Sequence, residues 1–237
     1  MRIAGLQKVS LIDYPGKIAC TLFTFGCNFR CGFCHNPELV LKEKPEYEYS
    51  EKEILEFLEK RKKYLDGVCI TGGEPLIHSD IGNLLKKIKG FGYSIKLDTN
   101  GSRPDLLSEL IKEKLIDFVA MDVKSDKEGY DLVAGRKVNL KDIEKSFKAI
   151  ANSGIDYEFR TTVVRGLHNP ENLKKIGEWL CHVLNKKPKK FVIQNFVARK
   201  ENLIDKKFEK IRSFEEEELQ GFKEAVSDYF EKVEIRN

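Results

Sequence analysis

Three cysteines and a histidine lie within the stretch CNFRCGFCHN, residues 27–36. Cys27, Cys31 and Cys34 follow the spacing C-x3-C-x2-C, so a single loop can bring three thiolates to one centre. Four kinds of chemistry are open to such a loop: a disulfide, a zinc ion, a covalently attached haem or an iron–sulfur cluster.

The remainder of the chain disfavours the first three. No apolar run of signal-peptide length opens the sequence, so we expect a cytoplasmic protein, in which disulfides are rare. Structural zinc usually takes four protein ligands; His35 could be the fourth, but no second cysteine pair follows. Residues 31–35 match the haem pattern C-x-x-C-H, which requires export in most settings and leaves Cys27 unexplained.

A four-iron cluster fits the three cysteines better. Such clusters are normally held by four thiolates, so three thiolates leave one iron with an open position. A substrate or cofactor can bind that iron directly, as happens at a catalytic zinc. The pattern therefore indicates catalysis rather than electron storage. Cys69 and Cys181 stand alone in apolar stretches and are predicted to be small buried hydrophobic side chains.

Composition narrows the class of protein further. The 237 residues are 41% hydrophobic and 34% charged, and a net charge of +4 is too small to imply nucleic acid. No segment approaches the ~20 apolar residues that a membrane span needs. We therefore expect no nucleic acid partner, no membrane partner, and a single domain over residues 1–237.

The elements that must position this chemistry are short apolar segments alternating with amphipathic ones. The pattern predicts strands at residues 18–26, 67–73, 94–101, 117–124, 157–164 and 190–197. It predicts helices at residues 50–65, 80–92, 104–115, 140–154, 170–184 and 213–230. Ser50 is the expected N-cap of the first helix, and Pro104 opens the third. This alternation indicates an α/β protein with a parallel sheet. Six units, where a full barrel has eight, predict either an incomplete barrel or an open doubly wound sheet.

Polar residues follow or end every predicted strand. Besides the cysteine loop, they lie at residues 71–75, 98–101, 122–124, 160–162 and 194–196. Glycine, aspartate and asparagine are common in turns for backbone reasons, so any one of these stretches could be merely structural. Because the carboxyl ends of parallel strands meet on one rim, we expect the set as a whole to form a site.

Two motifs together resemble the radical S-adenosylmethionine (SAM) superfamily: CNFRCGFC and the GGEP at residues 72–75. The resemblance implies a partial (β/α)6 TIM-like barrel of the radical SAM type. Its core would span about residues 18–200, with a C-terminal helix and strand at 213–236. It also implies a [4Fe–4S] cluster whose open iron binds the amino and carboxylate groups of SAM. The reduced cluster would cleave SAM to methionine and a 5′-deoxyadenosyl radical.

Finer motifs resemble the activating enzymes of glycyl radical enzymes. They are SLIDYPGK (10–17), GCNFRCGFCHNPEL (26–39), LDTNG (97–101) and MDVK (121–124), and the first is typical of anaerobic ribonucleoside-triphosphate reductase activating proteins. The resemblance implies an anaerobic oxidoreductase whose radical removes a Cα hydrogen from a glycine of a partner glycyl radical enzyme. It implies a low-potential electron donor such as flavodoxin or ferredoxin. Some relatives carry an inserted segment with extra cysteines; this chain has none, which predicts one cluster only.

The same resemblance assigns roles to the cysteine loop and the residues after the second strand. Cys27, Cys31 and Cys34 would ligate the cluster, and Phe33 would approach the adenine of SAM. The amino end of SAM would meet Gly72, Gly73 and Glu74. Glycine lets backbone come close, and a carboxylate accepts hydrogen bonds from an ammonium group.

Further residues would complete the SAM pocket. Asp98 and Asn100 would line it, and Asp122 and Lys124 would reach the polar parts of SAM. Arg160 could do likewise, although the sequence leaves open whether it faces the barrel interior. Asp122 and Lys124 are two apart on a strand, hence on one face, and could instead form a plain ion pair.

The histidines are given structural roles. His35 and its neighbour Asn36 would shape the cysteine loop. His78, His168 and His182 are predicted to be solvated or to cap elements.

Two other functions remain open on these residues. A radical SAM enzyme acting on a small molecule, such as the synthase of 7-carboxy-7-deazaguanine, has similar length and the same two motifs. A non-catalytic iron–sulfur or zinc protein that senses oxygen would explain the cysteines. It would not explain GGEP or the polar ends of the other strands.

Overall fold

A computed structural model describes residues 1–199 and 203–237, and an eight-stranded sheet runs through it. The strands are β1 (Ile3–Ser10), β2 (Ala19–Thr24), β3 (Gly67–Gly72), β4 (Ser94–Thr99), β5 (Phe118–Asp122), β6 (Asp156–Val163), β7 (Lys190–Asn195) and β8 (Lys232–Arg236). The helices are α1 (Pro37–Val40), α2 (Glu51–Arg61), α3 (Ile81–Gly90), α4 (Pro104–Lys112), α5 (Tyr130–Ala134), α6 (Leu140–Ala151), α7 (Pro170–Leu184) and α8 (Glu216–Ser227). Two 3-10 turns lie at Pro75–Ile77 and Lys206–Lys210.

Strand order in the sheet follows chain order from β1 to β8. Strands β2 to β8 are all parallel, while β1 pairs with β2 in the antiparallel sense. A doubly wound sheet would reverse its strand order at a switch point, so that alternative is wrong. The architecture is the predicted partial TIM-like barrel, and the six predicted strands correspond to β2–β7.

Helices α2 and α4 begin where the sequence signals predicted. The Ser50 side chain accepts the Glu53 N–H at 3.3 Å, and the Glu53 carboxylate accepts the Ser50 N–H at 2.8 Å, which forms a capping box before α2. Pro104 is the first residue of α4. These local signals fix the helix starts, and tertiary packing then covers the outer face of the sheet.

Side-chain alternation along the strands separates the apolar layer from the barrel interior. In β4, Ile95 and Leu97 are buried in the apolar core beneath the helices. Their neighbours Lys96 and Asp98 point to the opposite face and into the barrel. Asp122 of β5 and Arg160 of β6 share this interior face with Asp98, so the polar side chains at these strand ends converge inside one rim.

Among the described residues, no helix is long and apolar enough to cross a membrane. The first parallel strand, β2, begins at Ala19, next to the predicted start of the barrel core near residue 18. The predicted end of the core at residue 200 lies outside the described residues.

Candidate active site

One cavity of about 300 Å³ lies at the carboxyl ends of strands β3–β7. All twelve residues predicted to bind a cluster or SAM line it: Cys27, Phe33, Cys31, Cys34, Gly72, Gly73, Glu74, Asp98, Asn100, Asp122, Lys124 and Arg160. The cysteine loop forms one wall, and the ends of the parallel strands form the other. The sequence therefore predicted which residues come together, although it left their contacts undetermined.

The cysteine loop is folded by its own backbone and is largely buried. The Phe29 N–H donates to the Cys27 Sγ at 3.3 Å, and the Cys34 N–H donates to the Cys31 carbonyl at 3.0 Å. Burial raises the pKa of Cys27 to about 12, and it raises the pKa of Cys31 and Cys34 as well. In the metal-free protein these groups are therefore neutral thiols, and binding to iron would be needed to hold them as thiolates.

The three thiols fit a group larger than a single ion. Within residues 1–199 and 203–237, no three cysteine, histidine or carboxylate side chains gather closely enough to hold one metal ion. A four-iron cluster takes each thiolate on a different iron, so it requires the sulfurs around a shared space rather than around a point. The cavity lined by Cys27, Cys31 and Cys34 provides that space.

Aromatic contacts fasten the loop to the far side of the barrel. The His35 Nε2 lies 2.8 Å from the Val197 carbonyl oxygen, and its ring stacks on Phe196 at 5.2 Å between centroids. Phe33 meets Phe196 and Phe208 edge-on, each at 6.1 Å. The predicted loop-shaping role of His35 agrees with these contacts, and Phe33 is held in one orientation at the cavity wall.

The glycines after β3 are required by the protein backbone itself. Gly72 has φ of +113°, and a Cβ there would lie 2.3 Å from the Thr24 nitrogen. A Cβ at Gly73 would lie 1.9 Å from the Gly26 carbonyl oxygen. Both glycines thus allow the GGEP turn to pack against the start of the cysteine loop, in addition to lining the cavity.

Glu74 lines the cavity and ties two turns together. Its carboxylate accepts hydrogen bonds from the Thr99 hydroxyl at 2.7 Å and from the backbone N–H groups of Asn100 at 2.6 Å and Leu76 at 3.1 Å. Burial raises the pKa of Glu74 to about 7, against the opposing effect of these three donors. One acceptor position remains on this carboxylate for an ammonium group in the cavity.

A chain of five charged side chains crosses the barrel interior beneath the cavity. Lys96 pairs with Asp98, which also accepts from Arg160 Nη2 at 3.1 Å. The Arg160 Nε pairs with Asp122, which accepts from Lys124 Nζ at 2.9 Å. Burial opposes ionisation of Asp98 and Asp122, but the combined attraction of the neighbouring cations is stronger and holds both pKa values below the usual range. Asp122 in turn raises the pKa of Lys124 despite its burial.

A family model described as the Radical SAM superfamily matches residues 21–180, which is more than half of the chain. The chain belongs to the radical SAM superfamily. Superfamily members use a [4Fe–4S] cluster and SAM, so these are its cofactors, and the protein is a radical SAM enzyme.

Similarity to individual proteins places the chain within this superfamily. A protein of Methanocaldococcus jannaschii, named provisionally as a glycyl-radical enzyme activating enzyme, is 30% identical over 99% of this chain and 95% of its own length. The pyruvate formate-lyase-activating enzyme of Clostridium pasteurianum is 30% identical over 78% of both chains. The chain therefore belongs to the glycyl-radical-enzyme activating family, as its motifs predicted.

A solved structure agrees on the fold. SuiB of Streptococcus suis, bound to its precursor peptide SuiA, superposes with a TM-score of 0.68 at 20% identity. The match covers 90% of this chain and 47% of that one. At this identity the likeness supports the radical SAM barrel fold alone.

Two alternatives that the motifs left open are settled by the charged chain. Arg160 faces the barrel interior and bridges two carboxylates. Asp122 and Lys124 form the ion pair that the sequence left open as an alternative to a role in SAM binding. Both residues also line the radical SAM cavity. Lys124 is therefore already paired, and only its remaining donors are free for a ligand.

Some residues of the radical SAM site were missed in the sequence. Lys96 is 3% exposed and was not singled out, although a lysine inside the apolar run SIKLD, two residues before Asp98, signals an inward-facing charge. Asn28 accepts from the Asn100 side-chain amide at 2.9 Å and joins the cysteine loop to the turn after β4. Its place inside the C-x3-C spacing gave no signal of its own.

Two structural predictions hold only in part. His168 is buried rather than solvated, but it does cap backbone: its Nδ1 accepts the Val164 N–H at 3.1 Å, and its Nε2 lies 2.8 Å from the Lys124 carbonyl oxygen. Cys69 is buried but not in apolar surroundings, because it faces the barrel interior with Lys96 Nζ 3.8 Å away. In both cases the neighbour comes from a distant strand or loop that local sequence does not reveal.

The structure also shows the surroundings of the other two histidines, His78 and His182, and of the second isolated cysteine, Cys181. His182 is exposed, as predicted. His78 follows the 3-10 turn at Pro75–Ile77 and its ring bonds the Phe25 carbonyl at 2.9 Å. Cys181 is half-buried and donates to the Tyr229 carbonyl at 3.1 Å, so it is less enclosed than predicted.

Proposed function

We propose that this protein activates a glycyl radical enzyme and that the partner is anaerobic ribonucleoside-triphosphate reductase. The observation that carries the proposal is the convergence of three cysteines and nine predicted SAM-binding residues on one cavity. When bound, the cluster would supply the electron for reductive cleavage of SAM, and this radical chemistry would remove a Cα hydrogen from a glycine of the partner.

The residues of the cysteine loop hold and orient the cofactors. Cys27, Cys31 and Cys34 would hold the cluster, which would supply an open coordination position for SAM. Phe33, fixed edge-on between two other rings, offers a flat apolar face for the adenine. These roles require no acid or base, so no separate catalytic side chain is assigned.

The strand ends bind the polar parts of SAM. Glu74 offers one free acceptor position to the SAM ammonium, beside the backbone of Gly72 and Gly73. Lys124 directs its remaining donors to the SAM carboxylate, while Asp122 keeps it charged. Asp98, Asn100 and Arg160 hold these groups in place and line the rest of the pocket.

The choice of partner rests on relatives and motifs. Two relatives carry names of glycyl-radical or pyruvate formate-lyase activating enzymes. The opening SLIDYPGK favours the reductase as the partner of this chain. A low-potential carrier, flavodoxin or ferredoxin, would supply electrons, and the reaction would take place anaerobically in the cytoplasm.

An anaerobic assay tests this function. The protein is reconstituted with iron and sulfide, reduced, and given SAM, and 5′-deoxyadenosine is measured by chromatography. We expect wild type and a Cys181→Ala control to form the nucleoside and Cys31→Ala to lose it. Electron paramagnetic resonance then looks for a glycyl radical in anaerobic ribonucleoside-triphosphate reductase and, in parallel, in pyruvate formate-lyase.

The outcomes separate the alternatives. A glycyl radical only in pyruvate formate-lyase would show the wrong partner and leave the activating function intact. Nucleoside without a radical in either enzyme would favour a small-molecule radical SAM reaction. No nucleoside from a protein with a full, reducible cluster would favour the iron–sulfur sensor.

A further inference from the structure

Two segments, residues 130–138 and 203–212, contact the cysteine loop on either side of Cys31. Immediately before Cys31, the Arg30 N–H donates to the Ala134 carbonyl at 2.8 Å. Immediately after it, the Gly32 carbonyl accepts from the Asp205 N–H at 2.8 Å. The two segments therefore supply the protein surface on either side of this cluster ligand.

Both segments are fitted closely to the loop. A Cβ at Gly135 would lie 2.1 Å from the Arg30 carbonyl oxygen, and a Cβ at Gly32 would lie 2.6 Å from the Phe208 ring. Ile204 lines the cavity itself. These contacts leave no room for an intervening layer, so a protein that docks on the two segments comes close to Cys31.

The outer surface of these segments, residues 130–138 and 203–212, is defined here as the basic collar. Its cations are Arg136, Lys137, Lys206, Lys207, Lys210 and Arg212. Its acids are Asp131, Asp205 and Glu209. Cations thus outnumber acids two to one in the collar, whereas the whole chain has 42 basic and 38 acidic residues. The collar also presents Leu132, which is 74% exposed.

The acids of the collar are partly engaged. Asp205 caps the 3-10 turn by accepting the Lys207 N–H at 3.0 Å, and it pairs with the Lys207 ammonium at 3.0 Å. Asp131 accepts the Val138 N–H at 2.8 Å. Four cations of the collar are exposed: Arg136, Lys137, Lys206 and Lys210. The electrostatic potential close to the collar is therefore positive.

We propose that the basic collar is the docking surface for a ferredoxin, a small acidic one-electron carrier. The proposal rests on the proposed function, because the docked carrier delivers its electron to the cluster held by Cys31. One electron leaves the reduced ferredoxin and lowers the oxidation state of the cluster by one, with no bond made and no proton moved.

The size of the collar suits such a partner. Redox encounters between proteins commonly bury less than about 1,200 Å², and opposite charges steer them more than they tighten them. Two short charged segments with one exposed leucine provide a surface of this kind. Because the attraction comes from exposed charges, we expect it to weaken as ionic strength rises.

Charge reversal in the collar tests the proposal by binding. In one variant, Arg136→Glu, Lys137→Glu, Lys206→Glu and Lys210→Glu are combined. The dissociation constant for a purified bacterial ferredoxin is measured by calorimetry on the cluster-loaded protein, at low and at physiological ionic strength. We expect at least a roughly tenfold weaker affinity at low ionic strength and loss of the salt dependence.

A matched control moves the same charge change to the opposite rim. Lys60→Glu, Lys63→Glu, Lys112→Glu and Lys187→Glu alter four exposed lysines near the helix ends that precede strands. This control is expected to bind ferredoxin within about twofold of wild type. Thermal unfolding of both variants shows whether they are folded, and a variant that fails is replaced by its two-lysine subset.

Direct chemical reduction separates this proposal from the proposed function. With titanium(III) citrate as reductant, the collar variant should form as much 5′-deoxyadenosine as wild type. Equal ferredoxin affinity in the collar variant and wild type, or a collar-dependent affinity for flavodoxin alone, would overturn the ferredoxin proposal. No nucleoside from wild type with titanium(III) citrate would overturn the proposed function, whatever the binding data show.

Discussion

At the scale of single residues, folding shifts the pKa of Glu74 far enough for its effect on stability to be measured. Its folded-state pKa is raised from 4.5 to about 7. Below pH 4.5 the carboxyl is protonated in both states. Between pH 4.5 and about 7, Glu74 is ionised in the unfolded chain but protonated in the folded protein. The contribution of Glu74 to the free energy of unfolding therefore falls as the pH rises through this range, by about 3 kcal/mol in all.

We therefore predict that Glu74→Gln removes this part of the pH dependence. Urea unfolding of the metal-free protein, measured from pH 4.5 to 8, should show a flatter profile for Glu74→Gln than for wild type. Glu43→Gln, at an exposed carboxylate, should keep the wild-type slope. A Glu74→Gln profile that runs parallel to wild type would show that Glu74 is ionised in the folded protein across the range.

The residues of the site were predictable to different degrees, for physical reasons. Cys27 and Gly72 belong to short motifs, which can be recognised from residue type and spacing in the sequence alone. The inward orientation of Arg160 depends on carboxylates of β4 and β5, which lie 62 and 38 residues away. Burial of His168 likewise depends on the Lys124 carbonyl in another loop. Local patterns identify which side chains have chemistry, whereas their partners come from strand register.

At the scale of elements, β1 was not predicted and β8 was placed only within a broader C-terminal segment. β1 carries Gln7, Lys8 and Val9 in exposed positions and lies at the edge of the sheet, so it lacks the apolar run of the inner strands. The strands β2–β7 are covered on their outer face and read clearly as apolar. Edge position therefore explains why the sequence signal fails at both ends of the sheet.

The last strand carries the partner of a buried carboxylate. Arg236 donates two hydrogen bonds of 2.7 Å to Glu158, which is fully buried in β6. We predict that Arg236→Leu lowers the free energy of unfolding by about 3 kcal/mol, because it leaves a buried carboxylate short of donors. The cost stays at the low end of such changes because Lys190 remains 3.5 Å from Glu158. Urea denaturation measures it.

Two controls make this result specific. Lys86→Leu removes an exposed partner of Glu113 and should cost less than about 1 kcal/mol. Adding Glu158→Leu to Arg236→Leu should recover part of the loss, since no buried carboxylate then remains. Equal losses for Arg236→Leu and Lys86→Leu would show that β8 is held by its backbone pairing alone.

At the scale of the whole molecule, the barrel is packed around apolar side chains that need no bound cluster. The strands and helices share one continuous apolar core, to which the cysteine loop contributes Phe29, Cys31 and Phe33. Burial keeps the thiols of the metal-free loop neutral, so removal of iron leaves no unpaired buried charge there. The barrel should therefore persist without its cluster.

We predict that stripping the cluster with a chelator loosens only the loop and the segments fastened to it. Hydrogen exchange should rise at residues 26–41, 130–138 and 203–212, while β4 and β5 stay protected and the far-ultraviolet circular dichroism is unchanged. The thermal midpoint should fall, because the cluster binds only the folded chain. Loss of protection in β4 and β5 would instead mean that the cluster holds the barrel together, and that the apolar core cannot support the sheet alone.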